Sequence, residues 1–194
     1  MVSPAPSLPK HFSQLSLTEA AELLAARKLP PVESWHPARE GDSAMEIRAD
    51  GSWYHEGGRI NRPAMVRLFS TILRREPDGR HVLVTPAEKL TIAVEDTPFR
   101  AVEMKSEGEG AVRKLVFRLD TDDLVMAGPD HPLSFGGDAD NPDPRLHVRG
   151  VIGNGLEARI DRALYYDLVE LAIADGAAPP AIWSNGTRFP LVDA

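Results

Sequence analysis

The sequence predicts an α+β protein: two structurally related small units, each an antiparallel sheet with a packed helix, preceded by an N-terminal helix. Three observations carry this. The order strand–strand–helix–strand can be read twice along the chain. The tetrapeptide Arg59-Ile60-Asn61-Arg62 returns as Arg159-Ile160-Asp161-Arg162, each time ahead of an apolar run with helical spacing. Tight-turn dipeptides separate the strand-like runs, and such turns join antiparallel neighbours, since a parallel crossover needs a dozen residues or more.

Residues 1–15 are rich in Pro and Ser and lack a hydrophobic period, so they read as a flexible tail. In "SLTEAAELLAARKLPP", Ser16 and Glu19 have capping-box spacing and Leu17, Ala20, Ala21, Leu24 and Ala25 form one apolar face. Pro30 and Pro31 stop the helix. The expected boundaries are 16–98 for the first unit with its leading helix and 99–194 for the second.

In the first unit Met45 and Ile47 alternate with polar residues, which reads as a strand, and Asp50-Gly51 is a turn. "SWYHE" returns as a second strand to Gly57-Gly58. Asn61 is the expected N-cap of a helix with Pro63 in its first turn and Met65, Leu68, Phe69 and Ile72 on its apolar face, ended by Asp78-Gly79. "HVLVT" and "KLTIAVE" read as strands, with one tight helical turn at Thr85-Pro86-Ala87-Glu88 between them.

In the second unit "FRAVEMKS" and "AVRKLVFRL" read as strands. "AGPDHPLSFGGDADNPDPR" reads as a long loop around one short strand, because Pro, Gly and Asp dominate it. Leu146 and Val148 form a strand, and "GNG" lies in a turn. Asp161 caps a helix carrying Leu164, Tyr165, Leu168, Val169 and Leu171. Asn185-Gly186 predicts a type I′ hairpin at the C-terminal end.

Composition narrows the function. With 42% hydrophobic residues in 194, the chain can build a real core. A net charge of −7 disfavours nonspecific nucleic-acid binding, which needs an excess of Lys and Arg. The absence of cysteine removes disulfides, thiolate metal sites and thiol nucleophiles together. The N-terminal stretch lacks the pattern of a signal peptide, and no apolar run approaches the ~20 residues of a membrane span. A cytoplasmic protein without membrane or nucleic-acid partners is therefore expected.

Several stretches resemble a known family. "DGSWYHEGGRINRPAMVRLFSTIL", "LVTPAEKLTIAVEDTPF" and "RLHV…GLEARIDRALYYDLVELA" are similar to a bacterial family of domains of unknown function, DUF1285, over about Trp35 to Phe189. The resemblance implies a two-domain α+β fold with repeated motifs and a role in ligand binding and signalling. It carries over no catalytic residue.

The repeated arginines are the first candidate site. An Arg at the start of a helix opposes the helix dipole, so a negative group is expected nearby. That group is either an anionic ligand held by Arg62, Arg159, Arg162 and Lys89, or an internal carboxylate. Asp96 is the candidate internal partner, because it shares a strand face with Ile92 and Val94. Trp53 and His55 share a face of their own strand and could line the same cleft.

Three functions compete. The leading one is a small, possibly anionic ligand in an inter-domain cleft, with a regulatory or signalling role. The alternatives are an enzyme using Asp96 or Glu88 with His55 as acid and base, and a protein–protein adaptor with an exposed apolar patch. No metal and no cofactor are expected: the six histidines have no ligating spacing, and "DTDDL" lacks the Gly and Glu of an EF-hand. The ligand and the oligomeric state are not set by the sequence.

Overall fold

The computed structural model describes residues 16–26, 28–138, 140–176 and 179–191; the tail read at residues 1–15 lies outside them. Its elements are α1 (Leu17–Ala26), β1 (Arg39–Ile47), β2 (Trp53–His55), β3 (Gly58–Arg59), α2 (Pro63–Thr71), β4 (Leu73–Arg75), β5 (His81–Val84) and β6 (Glu88–Val94). There follow β7 (Phe99–Glu107), β8 (Lys114–Leu119), β9 (Leu124–Met126), β10 (Leu133–Gly137), β11 (Pro142–Arg149), β12 (Leu156–Ile160), α3 (Arg162–Ala174), β13 (Ala181–Ser184) and β14 (Thr187–Pro190). The α+β class is as expected.

Two six-stranded sheets share one connectivity. The first has the order β3-β2-β1-β6-β5-β4, and the second, read from the other edge, β9-β8-β7-β12-β11-β10. In each, three strands meander outward from the centre and the next three return to it, so the first and last strands are central neighbours. The hairpins are antiparallel, as the turn residues require. The central pair β1–β6 is parallel, from Arg39 opposite Glu88 to Ile47 opposite Val94. Its long connection through β2, β3, α2, β4 and β5 is what parallel pairing demands.

The helices are not placed alike. α2 joins β3 to β4, whereas α3 follows β12. The two Arg-Ile-(Asn/Asp)-Arg motifs thus end strands at different places in the shared connectivity. The motif marks the start of a helix, not an equivalent position in a repeat.

The chain divides into two compact units. One comprises Leu29–Arg100 with His147–Ala158, and the other comprises the remaining described residues. In the first, Met45, Ile47, Trp53, Leu73, Val82, Leu83, Val84, Ile92 and Phe99 are buried. In the second, Leu115, Val116, Phe117, Leu119, Leu146, Ile160, Leu168 and Ile182 are buried. Helix α1 packs through Ala20, Leu23 and Leu24 on Val116, Leu124 and Met126. Its capping box forms as expected: Glu19 N–H donates to Ser16 Oγ at 3.2 Å, and Ser16 N–H donates to Glu19 Oε2 at 2.7 Å.

Some local expectations are corrected. The N-cap of α2 is Arg62, not Asn61, and Pro63 takes the first helical position. Thr85-Pro86-Ala87-Glu88 is a hairpin turn, not a helical one: Thr85 N–H donates to Glu88 O, and Thr85 Oγ1 accepts from Ala87 and Glu88 N–H. The Pro-rich stretch read as a long loop around one short strand holds two paired strands, the β10–β11 hairpin, where Phe135 opposes Pro144 and Gly137 opposes Pro142. Short strands β3, β4 and β9 lie where none was read. Asp161 does occupy the N-cap of α3, and Asn185 and Gly186 both take positive φ in the β13–β14 turn.

Candidate functional site

Candidate residues in the first unit fall into three settings. The first is a buried charge network. Arg74, in β4, is 7% exposed. Its Nε donates to Glu76 Oε1 at 2.7 Å, and its Nη1 donates to the carbonyls of Val32 and Trp35 at 2.7 and 2.8 Å. Glu76 Oε2 in turn accepts from Lys89 Nζ at 3.3 Å, and Lys89 also pairs with Glu40 at 2.8 Å. Burial pushes the Glu76 carboxyl up, but the hydrogen bonds and charges of Arg74 and Lys89 outweigh it and hold it below the usual range. The Glu40 hydrogen bond in turn raises Lys89. Lys89 is therefore neutralised by two carboxylates of its own unit. Glu88, next to it, pairs with Arg39 at 3.5 Å.

The second setting is the β2 hairpin. Trp53 is buried at 2% exposure, so its indole is part of the core, while His55 is exposed at the strand end. Tyr54, on the opposite face, lies under the Arg48 guanidinium at 3.9 Å. Asp96 is half-buried in the turn after β6. Its neighbour Thr97 is buried and donates to Phe99 O at 2.8 Å.

The third setting is the entrance to α2. Strand β3 ends at Arg59, and Arg62 is the N-cap with extended backbone. An arginine side chain cannot accept from the first free N–H groups, so the helix has no side-chain cap there. The two first-turn bonds are Met65 and Val66 N–H to Arg62 O. Arg59 and Arg62 are both exposed, and the Arg62 guanidinium bonds to no described residue. At the other end Arg149 donates to the Ser70 and Leu73 carbonyls, supplying the cation that a helix C-terminus favours.

Arg159 and Arg162 belong to the second unit. Arg159 pairs with Asp143 at 3.8 Å. Arg162, the first residue of α3, donates to Tyr166 Oη at 2.9 Å and lies 5.7 Å from its ring.

Sequence reasoning missed one concave feature. β1 bulges between Asp42 and Glu46, so Ser43, Ala44 and Met45 oppose Ile92 alone. The bulge is held by Ser43 Oγ donating to Thr91 O at 2.7 Å and Ala44 N–H donating to Asp42 Oδ1 at 2.9 Å. Ala44 adopts φ 52°. An open groove of about 430 Å³ results, lined by Asp42, Met45, Glu46, Thr91 and Ile92 among others. An apolar–polar alternation such as Met45-Glu46-Ile47 reads as a plain strand, so no sequence signal announced the bulge.

The carboxyls of Glu19, Asp50, Glu76 and Asp78 are displaced downward. That is the direction of an anion stabilised by donors, opposite to that of a carboxyl prepared as a general acid. No described helix is long and apolar enough to cross a membrane.

Comparison with known proteins identifies the chain. The N-terminal domain model of DUF1285, a domain of unknown function, matches residues 30–97, and the C-terminal domain model matches residues 98–191. A crystal structure of a DUF1285 family protein from Silicibacter pomeroyi DSS-3 is similar at 40% identity and TM-score 0.73, covering 91% of this chain and 94% of that one. Another, from Shewanella baltica OS155, shares the fold at 24% identity and TM-score 0.51, over 66% of this chain and 91% of that one. A comparison with curated proteins finds no match. The chain belongs to the DUF1285 family.

Proposed function

We propose that this member of the DUF1285 family is a binding module with a regulatory role, and that its ligand is a small anion taken at the entrance to α2. The observation that carries the reading is Arg62. It is the one residue of the predicted set that combines an exposed guanidinium, no bond to a described residue and a position at an uncapped helix N-terminus. The helix dipole and the Ala64 N–H favour a negative charge at that point, and a guanidinium beside them adds charge-assisted hydrogen bonds. Arg59, two residues past Gly57, brings a second cation to the same turn.

The other predicted cations support the choice by contrast. Lys89 is held by Glu40 and Glu76, Arg159 by Asp143, and Arg162 by the Tyr166 ring and hydroxyl. A binding role is favoured over acid–base chemistry because Glu88 is paired with Arg39 and His55 stands exposed at a strand end.

A thermal-shift panel of phosphate, pyrophosphate, nucleotides, sugar phosphates and dicarboxylates tests this. A ligand at 100 times its Kd adds ~2.7 kcal/mol of stability. At least one anion is expected to raise the melting temperature, with the effect screened by salt. A panel in which only uncharged or cationic compounds shift the midpoint would overturn the reading.

A further inference from the structure

Strand β3 is an edge of its sheet, and its outer side is open. Its pairing with β2 sets Arg59 opposite Tyr54 and Gly58 opposite His55. The ladder continues to Ile60, whose N–H donates to Trp53 O at 2.8 Å. Hydrogen-bonded and non-hydrogen-bonded pairs alternate along an antiparallel ladder. Ile60–Trp53 is a bonded pair, so Arg59–Tyr54 is an unbonded one, and the Arg59 N–H and C=O point away from β2. The Asn61 N–H and C=O bond to no described residue. Gly58, Arg59, Asn61 and Arg62 are all exposed, and the chain is still extended at Arg62, with φ −104° and ψ 102°. The edge thus offers two N–H and two C=O groups ~7 Å apart, which is the template for a further strand. It is also cationic: Arg59 and Arg62 lie on it, and no acidic residue occurs from Gly57 to Arg75.

We infer that this edge takes the C-terminal end of an extended peptide as an added strand, parallel to β3, with the terminal carboxylate at Arg62. In parallel pairing, a peptide residue opposite Ile60 donates to Arg59 O and accepts from Asn61 N–H. The residue two further on donates to Asn61 O, and its carboxylate reaches the start of α2. There the Arg62 guanidinium, the Ala64 N–H and the helix dipole favour a negative charge. The strand gives way to helix at Pro63, so a partner strand has no ladder to follow past that point. A peptide ending there in the opposite direction would bring an N-terminal ammonium to Arg62, so charge selects the parallel direction. Main-chain hydrogen bonds supply the affinity in such an addition, and side chains supply the specificity. The inference rests on the reading that Arg62 holds an anion, and it names that anion as a chain-terminal carboxylate.

Fluorescence polarisation of labelled hexapeptides with the full chain tests this. The probe is a pool randomised over the strand-forming residues Val, Ile, Thr and Tyr with a free C-terminus, beside the same pool amidated. The free pool is expected to bind. Amidation, and Arg62→Ala in a chain shown by circular dichroism to be folded, are each expected to weaken binding about tenfold or more. N-methylation of single peptide residues reads the ladder without altering the protein. Methylating the last or the third-from-last residue removes an N–H that faces β3 and is expected to weaken binding about tenfold. Methylating the residue between them is expected to change it by less than about twofold, because that N–H faces away. A free pool that does not bind overturns the inference. So does equal binding of the amidated pool, or an equal loss at all three methylated positions. Phosphate titrated into the same protein separates the two readings: Arg62-dependent phosphate binding without peptide binding removes the peptide and keeps the anion site, and loss of both removes the site as well.

Discussion

Arg74 Nε stands 2.7 Å from Glu76 Oε1, two residues along the same chain segment, with the arginine only 7% exposed. The pair sets the character of the first unit. Arg74 also satisfies the carbonyls of Val32 and Trp35, so it joins the segment before β1 to β4. Removing one partner of such a pair leaves a buried charge uncompensated. Arg74→Ala is expected to cost about 3–5 kcal/mol in urea unfolding. Arg74→Met with Glu76→Leu is expected to cost much less, because neither charge is then left alone. Equal losses in the single and double variants would contradict this assignment.

His81 gives the protein a pH dependence. It lies in β5, half-buried, and desolvation, aided by the Arg75 charge, lowers its pKa from 6.5 to about 4. The unfolded chain therefore binds a proton between pH 6.5 and 4 that the folded chain refuses. Stability is full above pH 6.5 and falls as the pH drops toward 4. Partial exposure limits the loss to about 2 kcal/mol. His81→Gln is expected to flatten the stability profile over that window, and an unchanged slope would show that other groups set it.

Gly155 is sterically required. A Cβ there would collide with the carbonyl oxygens of Arg149 and Val151 and with the His147 ring. Neighbouring contacts hold this turn: Asn154 Nδ2 donates to Pro77 O at 3.2 Å, and Arg75 Nη1 to Gly155 O at 3.4 Å. Gly155→Ala is expected to destabilise by about 2 kcal/mol or more, since backbone must move to admit the methyl. Gly153→Ala, where nothing lies within 4 Å, is the control. At Gly153 φ is +84°, so the expected loss there is only the ~1 kcal/mol of backbone strain. Thermal melts of the two variants separate the effects.

In the second unit the Arg113 guanidinium meets the Asp175 carboxylate with two hydrogen bonds of 2.5 and 2.9 Å. Asp175 is the C-cap of α3 and Arg113 is 3% exposed. Arg113→Lys loses the fork geometry and is expected to destabilise almost as much as Arg113→Ala. Full rescue by lysine in chemical unfolding would mean that charge alone matters.

Local signals read well in this sequence, and distant pairings did not. Ser16 and Glu19 form their capping box, Asn185-Gly186 turns its hairpin, and α3 starts after Asp161, because each depends on neighbours within four residues. The β10–β11 hairpin was hidden because Pro142 and Pro144 lie inside a strand. Proline is tolerated there where its missing N–H is not needed for pairing. The shared meander of the two sheets was hidden by the arginine motif, which marks helix starts that are not equivalent in connectivity. The fate of Lys89 was invisible for a different reason. Its partners Glu40 and Glu76 are far apart in sequence, and the β1–β6, β4–β5 and β5–β6 pairings bring them to it.

The central claim is that an anion is held at the entrance to α2 by Arg62. The most direct measurement titrates the best anion of the panel into wild-type protein and into Arg62→Ala, reading binding by calorimetry and folding by circular dichroism. Arg62 is exposed and bonds to no described residue, so the variant is expected to melt within about 0.5 kcal/mol of wild type. The predicted result is affinity at least about tenfold weaker in a normally folded Arg62→Ala chain. Unchanged affinity would contradict the claim and place the ligand elsewhere.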